Sequence, residues 1–140
     1  MSKDWVQDIR DMHAHYDMHD KFDLMTPEQL KKFLEFRIKF LQEELDELKA
    51  NTDNPEEIVD ALIDLSVVAI GTLDAYMIDS HMAWDEVLYA NMQKTPGIKP
   101  ERPNPLGLPD LIKPDGWKAP SHEGNHARLS DMINLQEDQN

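Results

Sequence analysis

The sequence predicts an all-α protein: a four-helix bundle-like unit followed by an extended, proline-rich strap. Three observations carry this. Apolar residues recur at helical spacing in four successive stretches. Two of those stretches open with a capping residue followed by proline, Thr26-Pro27 and Asn54-Pro55. After Lys94 the composition turns abruptly to proline and glycine, which ends helix formation. The boundaries that follow are a helical domain over 1–94, an ordered strap over 95–120 and a flexible tail over 121–140.

In the first stretch, 3–17, Trp5, Ile9, Met12 and Tyr16 share one helix face. His13, His15 and His19 lie among Asp11, Asp17 and Asp20, and His15 and His19 are one turn apart, as a metal pair would be. Spacing and composition favour the plainer reading of solvated residues at a helix end.

Thr26 caps the second helix, with Gln29 placed to complete a capping box. Leu30, Leu34, Ile38, Leu41, Leu45 and Leu48 make one apolar stripe, and Phe33, Phe36 and Phe40 a ridge beside it. At about 100° per residue, Glu44 and Glu47 continue the phenylalanine ridge, and Arg37 projects along the same sector. Charged residues are rarely buried without partners, so these read as site residues.

Asn51 to Asn54 form a short turn, which makes the second and third helices antiparallel neighbours. Glu57 stands where a capping-box glutamate would, a sufficient structural reason for its presence. The third helix is apolar nearly all round from Ile58 to about Ile78, as in a bundle centre or a dimer interface. Asp60 and Asp64 stand on one narrow stripe of it, and an aspartate in a buried helix is costly unless paired. Folding about the turn brings Glu47 near Glu57 and Glu44 near Asp60, with Asp64 one turn deeper. Up to six carboxylates, Glu43 included, then converge, and their repulsion calls for a divalent cation or a shared proton. An all-oxygen donor set suits Mg²⁺ or Mn²⁺ rather than zinc. Gly71 weakens this helix and so makes room for a close contact or a substrate.

The fourth helix runs from Met82 to about Lys94, with Trp84, Val87, Leu88 and Met92 inward and Asn91 and Lys94 three apart on its last turn. The strap holds Lys99, Arg102, Lys113 and Lys118, a basic enrichment in an acidic chain. It also carries Ile98, Leu106, Leu108, Leu111, Ile112 and Trp117, so it should pack against the domain or a second subunit. The tail over 121–140 is polar and frayed, with room for a short helix from Arg128 to Leu135.

At 140 residues the chain suits one domain with a real core. It has no cysteine, so a reducing cytoplasm is the natural setting. A net charge of −14 argues against a nucleic-acid polymer as partner. No apolar run approaches a membrane span, and the N-terminus does not resemble a signal peptide.

The blocks FLQEELDEL, EIVDALIDLSVVAIGT and WDEVLYANMQK resemble the MazG-like all-α nucleoside triphosphate pyrophosphohydrolases, relatives of the phosphoribosyl-ATP pyrophosphohydrolases and the dimeric dUTPases. The resemblance covers about 20–120, and NPLGLPDLIKPDGW resembles small phage-type members. The family pattern is EExxE followed by ExxD. Glu43, Glu44 and Glu47 match its first half; Glu57 with Asp60, or Asp60 with Asp64, match the second. The resemblance implies hydrolysis between the α- and β-phosphates of a nucleoside triphosphate, Mg²⁺ dependence, and assembly as a homodimer or homotetramer. It further implies a cytoplasmic setting (the host's for a phage protein) and deoxynucleotide substrates such as dGTP or dCTP. Under it Glu44, Glu47, Asp60 and Asp64 are the principal metal ligands, with Glu43 or Glu57 completing the cage or taking a proton from water. Asn91 and Lys94 hold phosphate oxygens, with Arg37, Lys99 and Arg102 on the substrate side. A dUTPase-like or phosphoribosyl-ATP-directed enzyme, and a non-catalytic nucleotide- or metal-binding protein, are the alternatives.

Overall fold

The structure, a computed structural model, describes residues 1–101 and 106–138. It is an all-α, bundle-like fold with six helices and a two-stranded ribbon among the described residues. The helices are α1 (Trp5–His15), α2 (Met18–Asp23), α3 (Pro27–Ala50), α4 (Pro55–Ala75), α5 (Ser80–Met92) and α6 (Arg128–Asp138). None is long and apolar enough to cross a membrane. The chain divides into two compact units, Met1–Ser80 with the stretch from Gly124 onward, and His81–Glu123.

In the first unit, α3 and α4 form an antiparallel hairpin whose ends are set by local chemistry. Thr26 accepts from the Gln29 amide at 3.2 Å, and the Gln29 side chain accepts from the Thr26 amide at 2.9 Å, a complete capping box. Asn54 caps α4 by accepting from the Glu57 backbone N–H, so Glu57 meets this cap through its main chain. The Asn51 side chain donates to the Glu47 carbonyl at 2.8 Å and closes the end of α3.

The first stretch forms the single helix α1, and a short second helix, α2, follows it. Asp17 adopts a left-handed conformation, φ 54°, which breaks the helix and starts α2. The α1 helix packs on α4, while α6 packs on α3. Leu30, Ala61, Val68, Ala75 and Tyr76 are buried where α3 meets α4, and the Tyr76 hydroxyl donates to the Leu30 carbonyl. Burial pushes the Tyr76 hydroxyl above its ordinary pKa.

The α6 helix runs further than the eight residues the sequence suggested, and its first residue anchors it. Arg128 donates to the carbonyls of Phe22, Asp23 and Met25 at 3.2, 3.1 and 2.7 Å, capping the end of α2. Just upstream, buried Asn125 brackets the Asp79 backbone with two 2.9 Å bonds.

In the second unit, the strap after α5 forms β1 (Thr95–Gly97) and β2 (Asp110–Ile112), antiparallel with Thr95 opposite Ile112. Trp117 donates its indole N–H to the Ala90 carbonyl at 2.7 Å and so fastens the strap to α5. A Cβ at Gly97 would sit 2.3 Å from the Ile112 Cδ1 methyl, so a larger residue there would force the Ile112 side chain to turn aside.

Candidate active site: a carboxylate cluster on the α3–α4 hairpin

The second half of α3 carries Glu43, Glu44 and Glu47; the first half of α4 carries Glu57, Asp60 and Asp64. Spacings of three and four residues put each set on one face of its helix, and the short turn lays the faces together. Glu44, Glu57 and Asp64 are half-buried, whereas Glu43, Glu47 and Asp60 are exposed. The desolvation expected for Asp60 is therefore smaller in this chain than a helix buried on all sides would impose.

Glu44 is the centre of the cluster. Its Oε2 is enclosed and has no hydrogen-bond partner among the described residues. Burial raises its pKa above the ordinary glutamate value, and the charges of Asp64, Glu47, Asp60 and Glu43 push it up further. The carboxylates that act on Glu44 thus come from both helices. Glu57 is not among them. Such an oxygen, shielded from water and facing four like charges, is stabilised by a cation or a proton. The donor set is all oxygen and its chemistry suits a hard divalent cation; among the described residues no three of these carboxylates bring ligand oxygens within 4.8 Å of one another, so side chains must turn inward to share one ion.

Arg37 lies two turns before Glu44 and is committed to the α3–α4 contact. It donates from Nε to Thr72 Oγ1 and from Nη2 to the Val68 carbonyl, both at 2.9 Å. Its guanidinium carbon also lies 5.6 Å from the centres of the Phe33 and Phe40 rings. Burial lowers its pKa. The room it occupies is provided by Gly71, where a Cβ would lie 2.9 Å from Nη2.

Asn91, Lys94 and Lys99 belong to the second unit. Asn91 is exposed. Half-buried Lys94 places its ammonium 5.3 Å from the Trp117 ring centre, and the Lys113 ammonium lies 5.1 Å from the same centre. The Lys99 backbone N–H donates to the buried carboxylate of Asp110 at 3.0 Å. Arg102 lies outside the described residues.

Sequence reasoning missed a second cluster. His13 is buried, not solvated, and its Nδ1 meets Asp74 Oδ2 at 2.6 Å; His19 Nε2 meets the same oxygen at 3.0 Å. The pair that forms is His13 with His19 rather than His15 with His19. The available signal was Asp74, the one acid in the apolar second half of α4.

Chemically, the hairpin cluster can hold divalent cations beside a polyphosphate and offer a carboxylate as proton acceptor. No curated protein matches the chain. Residues 15–91, which include α3, α4 and all six carboxylates, match the phosphoribosyl-ATP pyrophosphohydrolase family. Because that match spans more than half of the chain, the protein belongs to this family, a branch of the MazG-like all-α pyrophosphohydrolases, and is a nucleotide pyrophosphohydrolase.

Proposed function

We propose that the protein is a Mg²⁺-dependent nucleoside triphosphate pyrophosphohydrolase acting on deoxynucleotides such as dGTP or dCTP. Water adds at the α-phosphorus, the bond to the α–β bridging oxygen breaks, and the products are a nucleoside monophosphate and pyrophosphate. The observation that carries this reading is the enclosed, unpartnered Oε2 of Glu44 among the carboxylates of two helices. Glu44, Glu47, Asp60 and Asp64 would hold Mg²⁺, with Mn²⁺ as a substitute. The ion supplies charge neutralisation of the polyphosphate and polarisation of its phosphoryl oxygens.

The chain's own groups do the rest. Glu43, exposed beside Glu44, or half-buried Glu57 accepts the proton of the attacking water. Lys94, Asn91, Lys99 and Arg102 are the groups proposed for phosphate oxygens, and Lys94 is held in place by the Trp117 ring. Arg37 serves the substrate side indirectly, by fixing α4 against α3. Association into a homodimer or homotetramer is part of the same proposal. It is supported by the apolar side chains that α3 and α4 leave exposed, Phe36, Ile38, Val59, Leu62 and Ile63.

The family match favours a second reading, in which the substrate is phosphoribosyl-ATP and the same bond is cut. One experiment separates the two: product analysis with each dNTP and NTP, dUTP and phosphoribosyl-ATP, with Mg²⁺ or EDTA. The expected result is Mg²⁺-dependent monophosphate and pyrophosphate from deoxynucleotides, lost in Glu44→Gln and Asp64→Asn. Turnover confined to phosphoribosyl-ATP would establish the second reading. Diphosphate plus phosphate would place the cleavage at the wrong bond, and a folded protein that turns over no nucleotide would sink both.

A further inference from the structure

His13, His19 and Asp74 form a cluster that the proposed activity does not use. Their three ligand atoms lie within 4.8 Å of one another, and among the described residues no other group of three His, Cys, Asp or Glu does so. They come from three elements, α1, α2 and α4. We propose that these residues are a second metal site, which takes a borderline transition cation of the Zn²⁺ class and clips α1 and α2 onto α4.

The donor chemistry separates this site from the hairpin carboxylates. Two imidazole nitrogens and one carboxylate oxygen match the ligands that zinc takes, whereas Mg²⁺ prefers oxygen alone. The distances are close to those required. Zinc holds N and O ligands at about 2.0–2.2 Å, which spaces tetrahedral ligand atoms about 3.3 Å apart. Asp74 Oδ2 is 2.6 Å from His13 Nδ1 and 3.0 Å from His19 Nε2, so small side-chain movements open the pocket.

The surroundings orient the three groups. Arg10 Nε lies 3.5 Å from Asp74 Oδ1, the oxygen the histidines leave free, and so holds the carboxylate from behind. Phe22 packs edge-on against both imidazoles, with ring centres 5.2 and 6.4 Å away. With Nδ1 of His13 given to the metal, its proton sits on Nε2, on the side of Gly71. The His13 and Asp74 side chains are 6% and 10% exposed, while that of His19 is 39% exposed. The site is therefore closed on the α4 side and open at His19, where a cation enters and a water completes four-coordination.

The test uses the full chain, stripped with EDTA and titrated with Co²⁺ and then Zn²⁺. The expected result is a visible Co²⁺ band of four-coordinate intensity, saturating at about one equivalent and displaced by Zn²⁺. It should persist in Glu44→Gln, which damages only the hairpin cluster, and vanish in His19→Gln, whose side chain is exposed enough to be replaced without unfolding. Zn²⁺ should also raise the melting temperature of wild type and Glu44→Gln by about 3 °C or more, but not that of His19→Gln. X-ray absorption of the zinc-loaded wild type, which depends on no variant, should show two imidazoles in the first shell. The absence of a saturable band, a band that survives His19→Gln, or an all-oxygen shell would overturn the site and leave a hydrogen-bonded His–Asp–His knot. None of these outcomes depends on nucleotide turnover, so the site stands or falls separately from the proposed function.

Discussion

Glu44 concentrates the electrostatic tension of the candidate site in one oxygen. Its pKa is raised by burial and by four neighbouring carboxylates, so the folded, metal-free protein binds this proton more tightly than the unfolded chain does. The sign follows. Protonated Glu44 contributes stability below the ordinary glutamate range, about pH 4.3, and that contribution is lost as pH rises through the higher folded value. Once that proton is lost, the metal-free protein carries an uncompensated charge, which Glu44→Gln removes. In EDTA at pH 7–8, Glu44→Gln should melt higher than wild type, and the gap should close towards pH 4. In Mg²⁺ the order should reverse as the wild type gains its ligand, while the variant's kcat/KM falls by about a hundredfold or more. Melting curves over pH, with and without Mg²⁺, check both statements. A wild type that melts higher than Glu44→Gln in EDTA at pH 8 would refute the tension. Sequence placed Glu44 on the inner ridge because helical period alone sets the direction of a side chain. It could not tell that Asp60 would be exposed, because exposure depends on what covers α4 rather than on the period.

At the scale of elements, the α3–α4 hairpin was legible because its signals are local. Thr26, Pro27, Gln29, Asn54 and Pro55 act on backbone groups within a few residues, and the caps form where those residues stand. Contacts made across the chain were not legible. His13 and Asp74 are 61 positions apart, and Arg128 reaches back 103 to 106 positions to the carbonyls it caps. No short window of sequence contains both partners of either. Two predictions belong here. Arg37→Met removes two hydrogen bonds from a charged donor and should lower stability by about 1–3 kcal/mol in urea unfolding, with a modest loss of kcat. Unchanged stability with a raised KM would show instead that the guanidinium binds substrate directly. Arg128→Ala removes the cap on α2 and should cost on the order of 1–3 kcal/mol. Hydrogen exchange should then show α2 and α6 opening together while α3 and α4 stay protected; separate opening of α6 alone would deny Arg128 this anchoring role.

Over the whole molecule, apolar surface rather than charge decides what the chain does next. Twenty-eight acidic residues against fourteen basic ones give it a formal net charge of −14, yet α3 and α4 together expose Phe36, Ile38, Leu45, Val59, Leu62 and Ile63. The sequence of α4 is apolar enough for a helix covered on most sides, but Val59 and Leu62 are 63% and 50% exposed in the single chain. Each fully covered side chain of this size contributes about 1.5–3 kcal/mol, so leaving several in water is a substantial cost that a second copy would remove. At about 100° per residue, Val59 and Leu62 point well away from Asp60 and Asp64, so this face can be covered without blocking the carboxylates. Light scattering after gel filtration should therefore give a dimer or tetramer mass. Leu62→Glu should shift it towards monomer by at least tenfold in dissociation constant, since a buried carboxylate without a partner opposes assembly. The hairpin also carries the candidate site, so the monomeric variant should lose activity in step with dissociation and regain part of it at high protein concentration. A wild type that runs as a monomer with full turnover would show that α4 is complete within one chain.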